Sequence, residues 1–172
     1  MKSKVIFLDM DGVLVDFFTG MKRYTGKEPP RSHVEYLEYL HNTPREQFGY
    51  DFWSTLPKTE ECDMIINHIM QTYTLEHTII LTKPIDTHGC IDGKIDWLKK
   101  NAPQLANSFF IGNKKWKLAS KESILIDDFD SNIQEFEKHG GLTITVPRPW
   151  NSKSWCTDII GYLKRLLEIH MD

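Results

Sequence analysis

Two pairs of acidic residues are the side chains in this sequence that are best suited to chemistry. The first pair, Asp9 and Asp11, follows directly after the apolar run Val5–Leu8. Side chains two residues apart on an extended segment point the same way, so these two carboxylates can converge on one point. Carboxylates that close together repel each other unless they share a proton or a cation. Gly12, the next residue, permits a sharp turn and a close approach of the backbone to whatever the acids hold.

The second acidic pair, Asp127 and Asp128, also follows a short apolar run. Thr82 ends another apolar run, and three lysines precede the second acidic pair: Lys114, Lys115 and Lys117. Four carboxylates in one place need a cation, and hard oxygen ligands suit Mg²⁺. A lysine and a hydroxyl beside them would bind an oxyanion such as phosphate. The set therefore predicts a phosphate site with a bound Mg²⁺, although each member alone is also found in ordinary caps, strands and solvated loops.

These residues can meet only if the strands that carry them share one edge of a sheet. The expected strands are residues 5–8, 78–81, 109–111, 124–126 and 142–146. Helical patterns separate them, which favours an α/β fold: a Rossmann-like, mostly parallel five-stranded sheet covered by helices. In a parallel sheet all carboxyl ends lie at the same edge, where such folds hold their ligands. The acidic pairs, Thr82 and the lysines are therefore expected in one crevice.

The segment between the first two strands contains no clear strand and predicts a small helical cap. The expected domains are a core of residues 1–16 plus 77–172 and an insertion of residues 17–76, which we call the cap. Helices are expected over residues 16–24 and 60–73, and a capping box at Thr43 indicates another helix start. In the core, we expect one helix with Ile91, Ile95 and Leu98 on its apolar face, another capped by Ser131, and an amphipathic C-terminal helix.

Composition excludes several classes of function. The chain has 172 residues, 40% of them hydrophobic, which predicts one domain with a substantial core. With 21 basic and 24 acidic residues the net charge is −3, so we expect no long nucleic acid as a partner. Three widely spaced cysteines indicate reduced thiols. No apolar run approaches membrane-spanning length and the first strand begins near residue 5, so we expect no membrane partner and a cytoplasmic location.

The order of the acidic pairs, Thr82 and a lysine resembles that in the haloacid dehalogenase superfamily of aspartate-nucleophile phosphatases. Within it, the chain is similar to the 5'(3')-deoxyribonucleotidases, and the similarity spans residues 4 to about 147. The runs that carry it are Asp9-Met10-Asp11-Gly12-Val13-Leu14, Phe52-Trp53 followed by Leu56-Pro57, Leu81-Thr82-Lys83-Pro84, and Leu125-Ile126-Asp127-Asp128. Lys83 is a departure, because many relatives carry a small hydroxyl residue there.

The resemblance implies roles for the acidic residues. Asp9 would be the nucleophile that attacks phosphorus and forms an aspartyl-phosphate. Asp11 would protonate the leaving sugar oxygen and then activate the water that hydrolyses this intermediate. Mg²⁺ would bind Asp9, Asp127 and Asp11, the last through its carbonyl, with Asp128 nearby. These roles fit the physics, because covalent catalysis divides one difficult displacement into two easier steps.

The phosphoryl oxygens would be bound by Thr82 and one lysine. Spacing to the second acidic pair favours Lys115, while Lys117 stays an alternative and Lys114 is the least favoured. The substrate implied is a small nucleotide, a nucleoside monophosphate and in particular a deoxyribonucleotide. We expect its base to stack on Phe52 and Trp53.

Phe18 and Phe48 are second choices for the base pocket, and all four rings could instead join the cap to the core. Two other functions stay open. One is a superfamily phosphatase for a sugar phosphate or a nucleic-acid 3'-phosphate. The other is a phosphate-sensing protein without turnover, which Asp11 argues against because a second acid implies hydrolysis of the intermediate. The sequence makes no prediction of oligomeric state.

Overall fold

A five-stranded, all-parallel sheet organises the chain in the computed structural model, which describes residues 4–28, 30–42, 48–72 and 75–169. The strand order is β3-β2-β1-β4-β5, and each neighbouring pair is parallel. The strands are β1 (Val5–Leu8), β2 (Thr78–Thr82), β3 (Phe109–Ile111), β4 (Ser123–Asp127) and β5 (Leu142–Thr145). The predicted α/β, Rossmann-like five-stranded fold is therefore confirmed.

The order in which the chain adds strands to the sheet reverses at β1, and this reversal creates a crevice. The chain proceeds from β1 to β2 and β3 on one side, then crosses back to place β4 and β5 on the other. Leu8 is aligned with Ile80 on β2 and with Ile126 on β4, so the carboxyl ends of the three strands are level. Ligands of open α/β sheets bind at this kind of switch point, outside the strand ends.

Seven α-helices surround the sheet within the described residues. They are α1 (Phe17–Thr25), α2 (His33–His41), α3 (Tyr50–Ser54), α4 (Cys62–Thr72), α5 (Cys90–Asn101), α6 (Asp130–Lys138) and α7 (Ile159–Ile169). The first four come from the cap. Asp16 caps α1, because its Oδ1 accepts a hydrogen bond from Thr19 N at 2.9 Å. The capping box predicted at Thr43 lies outside the described residues.

Alternate strand residues face two apolar clusters on opposite sides of the sheet. Phe7 and Leu125 pack on one side against Phe136 of α6. Ile6 and Leu8 face the larger cluster on the other side. That larger cluster also contains buried residues of the cap: Phe17, Phe18, Met21, Phe48, Phe52, Trp53, Cys62, Ile65, Ile66 and Ile69. The cap helices thus share one apolar core with the sheet.

Two local predictions are corrected. The buried face of α5 contains Cys90, Lys94, Trp97 and the predicted Leu98, whereas Ile91 is exposed and Ile95 is half-buried. α6 begins at Asp130, so Ser131 is inside the helix and not its N-cap. The reason is that the Asp127 carboxylate accepts a hydrogen bond from Phe129 N at 2.9 Å, which turns the chain into the helix earlier.

The cysteines and the helix lengths agree with the composition. Cys62, Cys90 and Cys156 are free thiols, and the first two are buried. Among the residues that the structure describes, no helix is both long and apolar enough to cross a lipid bilayer.

Candidate active site

Three buried carboxylates meet at the carboxyl edge of β1 and β4. Asp9 follows β1, Asp127 is the last residue of β4, and Asp128 follows it. One oxygen from each lies within 4.8 Å of the others. Asp11 is not part of this carboxylate cluster, so a contribution of Asp11 to a metal site would come from its carbonyl, as the resemblance implies.

Neighbouring groups fix the orientation of the Asp127 and Asp128 side chains. Asn132 Nδ2 donates to both Asp127 oxygens, at 3.1 and 3.0 Å. Trp150 Nε1 donates to Asp128 Oδ2 at 2.8 Å. Gly12, with φ of 75°, allows the close approach of Asp128, because a Cβ at that position would lie 2.1 Å from Asp128 Oδ2. A glycine is therefore required at position 12, directly after the first acidic pair, so that Asp128 of the second pair can approach the backbone.

Lys115 is the lysine that reaches this cluster. Its Nζ lies 2.8 Å from Asp9 Oδ1 and 2.7 Å from Asp127 Oδ2, and the side chain is buried. Burial alone would lower the pKa of Lys115, but the charges of Asp127 and Asp9 outweigh it and raise the pKa. Lys114 and Lys117 are exposed. The placement of Lys115 agrees with the preferred alignment.

The cluster carries more negative charge than Lys115 can neutralise. Burial raises the pKa of Asp128 well above its usual value, and the charges of Asp127 and Asp9 raise it further. Burial and Asp9 also raise the pKa of Asp127, despite the opposing effect of Lys115. Three buried carboxylates with hard oxygen atoms this close together suit Mg²⁺. The residues present therefore fit the predicted metal.

We expect Mg²⁺ to raise the melting temperature, and to do so more at about pH 8 than at about pH 5. Because the pKa of Asp128 is raised on folding, the folded protein binds more protons than the unfolded chain, and stability without metal falls as pH rises above the usual pKa of an aspartate. Mg²⁺ competes with those protons and stabilises the folded state by mass action. Thermal unfolding with and without Mg²⁺ measures both effects.

The matched variants for this measurement are Asp128→Asn and Asp92→Asn, since Asp92 is an exposed acid of α5. The first should lose most of the Mg²⁺-dependent shift and the second should keep it. An equal shift at both pH values, or an equal shift in Asp128→Asn, would contradict the assignment of this cluster as the metal site.

Asp11 is paired with a lysine that the sequence analysis did not identify. Lys94 Nζ makes a short ion pair with Asp11 Oδ2 and donates to Thr82 Oγ1 at 2.9 Å. Its side chain is 4% exposed and its Nζ is 4.9 Å from the centre of the Trp53 ring. The available signal was its spacing: Lys94 lies four residues after Cys90 and three before Trp97, on the buried face of α5. A lysine on an apolar helix face is expected to have a specific partner.

A cavity of about 600 Å³ lies over the acidic cluster. From the core it is lined mainly by acids, amides and two lysines, together with a few apolar residues: Asp9, Asp11, Lys83, Asp86, Asn113, Lys115, Asp128 and Asn132, with Pro84, Ile85 and Phe129. From the cap it is lined by apolar and aromatic residues: Phe17, Phe18, Met21, Tyr36, Leu37 and Phe48. Burial and the nearby charge of Asp128 raise the pKa of Tyr36 above its usual range, so its phenol stays neutral. The cavity thus has a charged floor and an aromatic wall.

The four rings predicted to stack on a base are divided between the cavity and the core. Phe18 and Phe48 line the cavity. Phe52 and Trp53 are not among its lining residues, although all four rings are buried, and both pack against Phe17. The structure places these two rings away from the cavity lining, because α3 packs against α5. Their position matches the alternative in which they join the cap to the core.

No family model matches the sequence, and no curated protein matches it significantly. Solved structures match the fold along almost the whole chain. A dehalogenase superposes with a TM-score of 0.61 at 10% identity, over 96% of this chain and 97% of that one. A HAD-hydrolase from Bacillus subtilis bound to magnesium gives 0.55 at 9% identity, over 97% and 99%. A haloacid dehalogenase-like hydrolase from Streptococcus pneumoniae gives 0.53 at 12% identity, over 97% and 98%. The chain therefore has the fold of the haloacid dehalogenase-like hydrolases.

Proposed function

We propose that the protein is a Mg²⁺-dependent phosphomonoesterase that hydrolyses nucleoside monophosphates through an aspartyl-phosphate on Asp9. The observation that carries this proposal is the position of Asp9: it is buried beneath the cavity, in contact with Lys115 and beside Asp127 and Asp128. A carboxylate can attack an anionic phosphate ester only where positive charge offsets their repulsion. Lys115 supplies part of that charge, and bound Mg²⁺ would supply the rest by polarising the phosphoryl oxygens.

The hydrogen bonds of Asp9 determine which of its oxygens can react. Oδ1 accepts from Met10 N at 2.8 Å and contacts Lys115 Nζ at 2.8 Å. Oδ2, to which no described residue donates, is the oxygen that attacks phosphorus. As its bond to phosphorus forms, the bond from phosphorus to the sugar oxygen breaks and Asp11 gives its proton to that oxygen. Asp11 then takes a proton from water, which attacks phosphorus and releases phosphate from Asp9.

The cavity wall supports a nucleotide as the substrate. Phosphate binding on the charged floor is generic, so specificity depends on what covers it. Here the cover is aromatic, and a nucleobase gains about 1–3 kcal/mol per stacked ring. A bare sugar phosphate has no aromatic face to place against this wall. The preference for a deoxyribonucleotide rests on the resemblance to the 5'(3')-deoxyribonucleotidases.

We expect Phe18→Leu to lower kcat/KM for a nucleoside monophosphate roughly tenfold and to leave kcat/KM for a sugar phosphate without a base nearly unchanged. Leucine keeps most of the buried volume but removes the stacking face. Phosphate release from the two substrates, with and without Mg²⁺, measures this difference. Phe136→Leu is the matched control, since Phe136 is buried on the opposite side of the sheet.

Three results would contradict the proposal in different ways. Equal losses for both substrates in Phe18→Leu would mean that this ring does not read a base. A wild-type preference for sugar phosphates would favour the sugar-phosphatase alternative. A single release of phosphate per protein, without further turnover, would favour a phosphate sensor.

A further inference from the structure

Lys94 contacts two groups that the proposed reaction uses. Its Nζ pairs with Asp11, the proton-transfer residue, and donates to Thr82, the residue expected at the phosphoryl oxygens. It does so from α5, whereas Lys115 contacts Asp9 and Asp127. Lys94 and Lys115 are thus two buried lysines with different partners, and each contacts an acid that lines the cavity, Asp11 or Asp9.

The position of Lys94 is fixed by close packing between α5 and α3. A Cβ at Gly93 would lie 2.6 Å from Trp53 Cβ and 2.8 Å from Tyr50 O, so only glycine permits the helices to approach this closely. The approach puts the Trp53 ring beside the Lys94 ammonium, at 4.9 Å, where a cation–π contact is favourable. Trp53 in turn is anchored by its Nε1, which donates to Phe48 O at 2.9 Å. The ammonium therefore has one well-defined location.

Its contacts set the direction of both partners. Lys94 engages Asp11 through Oδ2, while Asp11 Oδ1 is buried with no hydrogen-bond partner among the described residues. A buried carboxylate oxygen without a hydrogen bond is costly, so the carboxylate depends on its ion pair with Lys94 to stay in this position. An ammonium can only donate, so Thr82 Oγ1 must accept from Lys94. The proton of the Thr82 hydroxyl then points away from Lys94, and the hydroxyl can donate it to another acceptor.

We propose that Lys94 is a positioning residue for proton transfer: its ion pair with Oδ2 holds the Asp11 side chain at the wall of the cavity, and its hydrogen bond to Thr82 Oγ1 turns the proton of that hydroxyl away from Lys94. This role rests on the proposed phosphomonoesterase function. Lys94 itself transfers no proton and forms no covalent bond. Its effect is on the two steps that need Asp11, namely protonation of the leaving oxygen and activation of the hydrolytic water.

Substrates with different leaving groups distinguish protonation of the leaving oxygen from activation of the hydrolytic water. A sugar oxygen must be protonated as it leaves, whereas a nitrophenolate leaves without a proton. In Lys94→Met, we therefore expect turnover of a nucleoside monophosphate to fall about 10²-fold or more. With nitrophenyl phosphate, the first step should survive and the second should be slow. Nitrophenol should then appear in a burst of one equivalent per enzyme, and phosphate should remain covalently bound in acid-quenched protein.

The experiment compares wild type, Lys94→Met, Lys94→Gln and Lys100→Met by rapid-quench kinetics, with melting curves to establish that each is folded. Lys94→Gln keeps a donor for Thr82 without the charge, so it tests the role even if Lys94→Met does not fold. Lys100 is an exposed lysine of α5, and its variant should behave like wild type. A burst with phosphoenzyme accumulation in either Lys94 variant supports the role. In Asp11→Asn, adding Lys94→Met should cause little further loss, because both changes act on the same group.

A different pattern would overturn the role. Active wild type together with Lys94 variants that show only a raised KM, and no burst, would mean that Lys94 merely attracts the phosphate. Equal losses for both leaving groups without phosphoenzyme would overturn it as well. Wild type that hydrolyses neither substrate would overturn the proposed function itself, and the role of Lys94 with it.

Discussion

Asp9→Asn is expected to reduce phosphate release from a nucleoside monophosphate by on the order of 10⁴-fold or more, as removal of a nucleophile does in other enzymes. The amide keeps the shape of the side chain but is a poor nucleophile. The variant should nevertheless stay folded, because it removes one of three mutually repelling carboxylates and leaves Lys115 paired with Asp127. Its melting temperature without Mg²⁺ should be equal to that of wild type or higher.

The combination of lost activity and kept stability is the informative result. Asp92→Asn, a change to an exposed acid of α5, is the control and should keep both properties. Phosphoenzyme is expected in acid-quenched wild type and not in Asp9→Asn. Substantial turnover by Asp9→Asn would refute the aspartyl-phosphate mechanism, whereas loss of folding would show that Asp9 is needed to hold Lys115 in place.

The parts of the site that follow strands could be predicted from the sequence. Asp9, Thr82 and Asp127 each end or follow a short apolar run, and parallel strands place such residues at one edge whatever the helices do. β1 lies in register with β2 and β4, because all three are short apolar strands that must be buried on both faces of the sheet. Local patterns are sufficient for this level of prediction.

Lys94, Phe52 and Trp53 depend on packing between helices, and local patterns do not determine that. In α5 the isoleucines gave a plausible apolar face, but Gly93 allows α3 to approach on the adjacent face, which becomes the buried one. That approach buries Phe52 and Trp53 against the core and brings Trp53 to Lys94. A single close helix contact thus explains why the predicted stacking rings and the unidentified lysine occupy the places they do.

The aromatic wall and the metal site are joined by one indole. Trp150 donates through Nε1 to Asp128 Oδ2, while its ring centre lies 4.5 Å from that of Phe18 and 5.9 Å from that of Tyr36. His33 at the start of α2 is also 3.3 Å from Trp150 O through its Nδ1. The position of the cap wall is therefore linked, through direct contacts, to the orientation of an acidic residue on the floor.

Lys115→Met is expected to have the largest effect on stability. It leaves Asp9 and Asp127 buried without their shared cation, and breaking a buried pair in this way costs about 3–5 kcal/mol. For a chain of this size, the melting temperature should fall by roughly 6–20 °C. Methionine fills much of the volume of the lysine stem, so the loss reports the charge and not a cavity.

Mg²⁺ distinguishes the electrostatic cause from a packing defect, because it supplies positive charge to the same carboxylates. It should therefore raise the melting temperature of Lys115→Met by more than it raises that of wild type. Turnover should stay very low in the variant even with saturating Mg²⁺, since the metal cannot replace the hydrogen bonds that orient Asp9. Lys114→Met and Lys117→Met, changes to exposed lysines of the same segment, should behave like wild type in both measurements. If Lys117→Met stopped turnover while Lys115→Met did not, the phosphate lysine would lie two residues further along the chain, and the buried contacts of Lys115 would serve the fold alone.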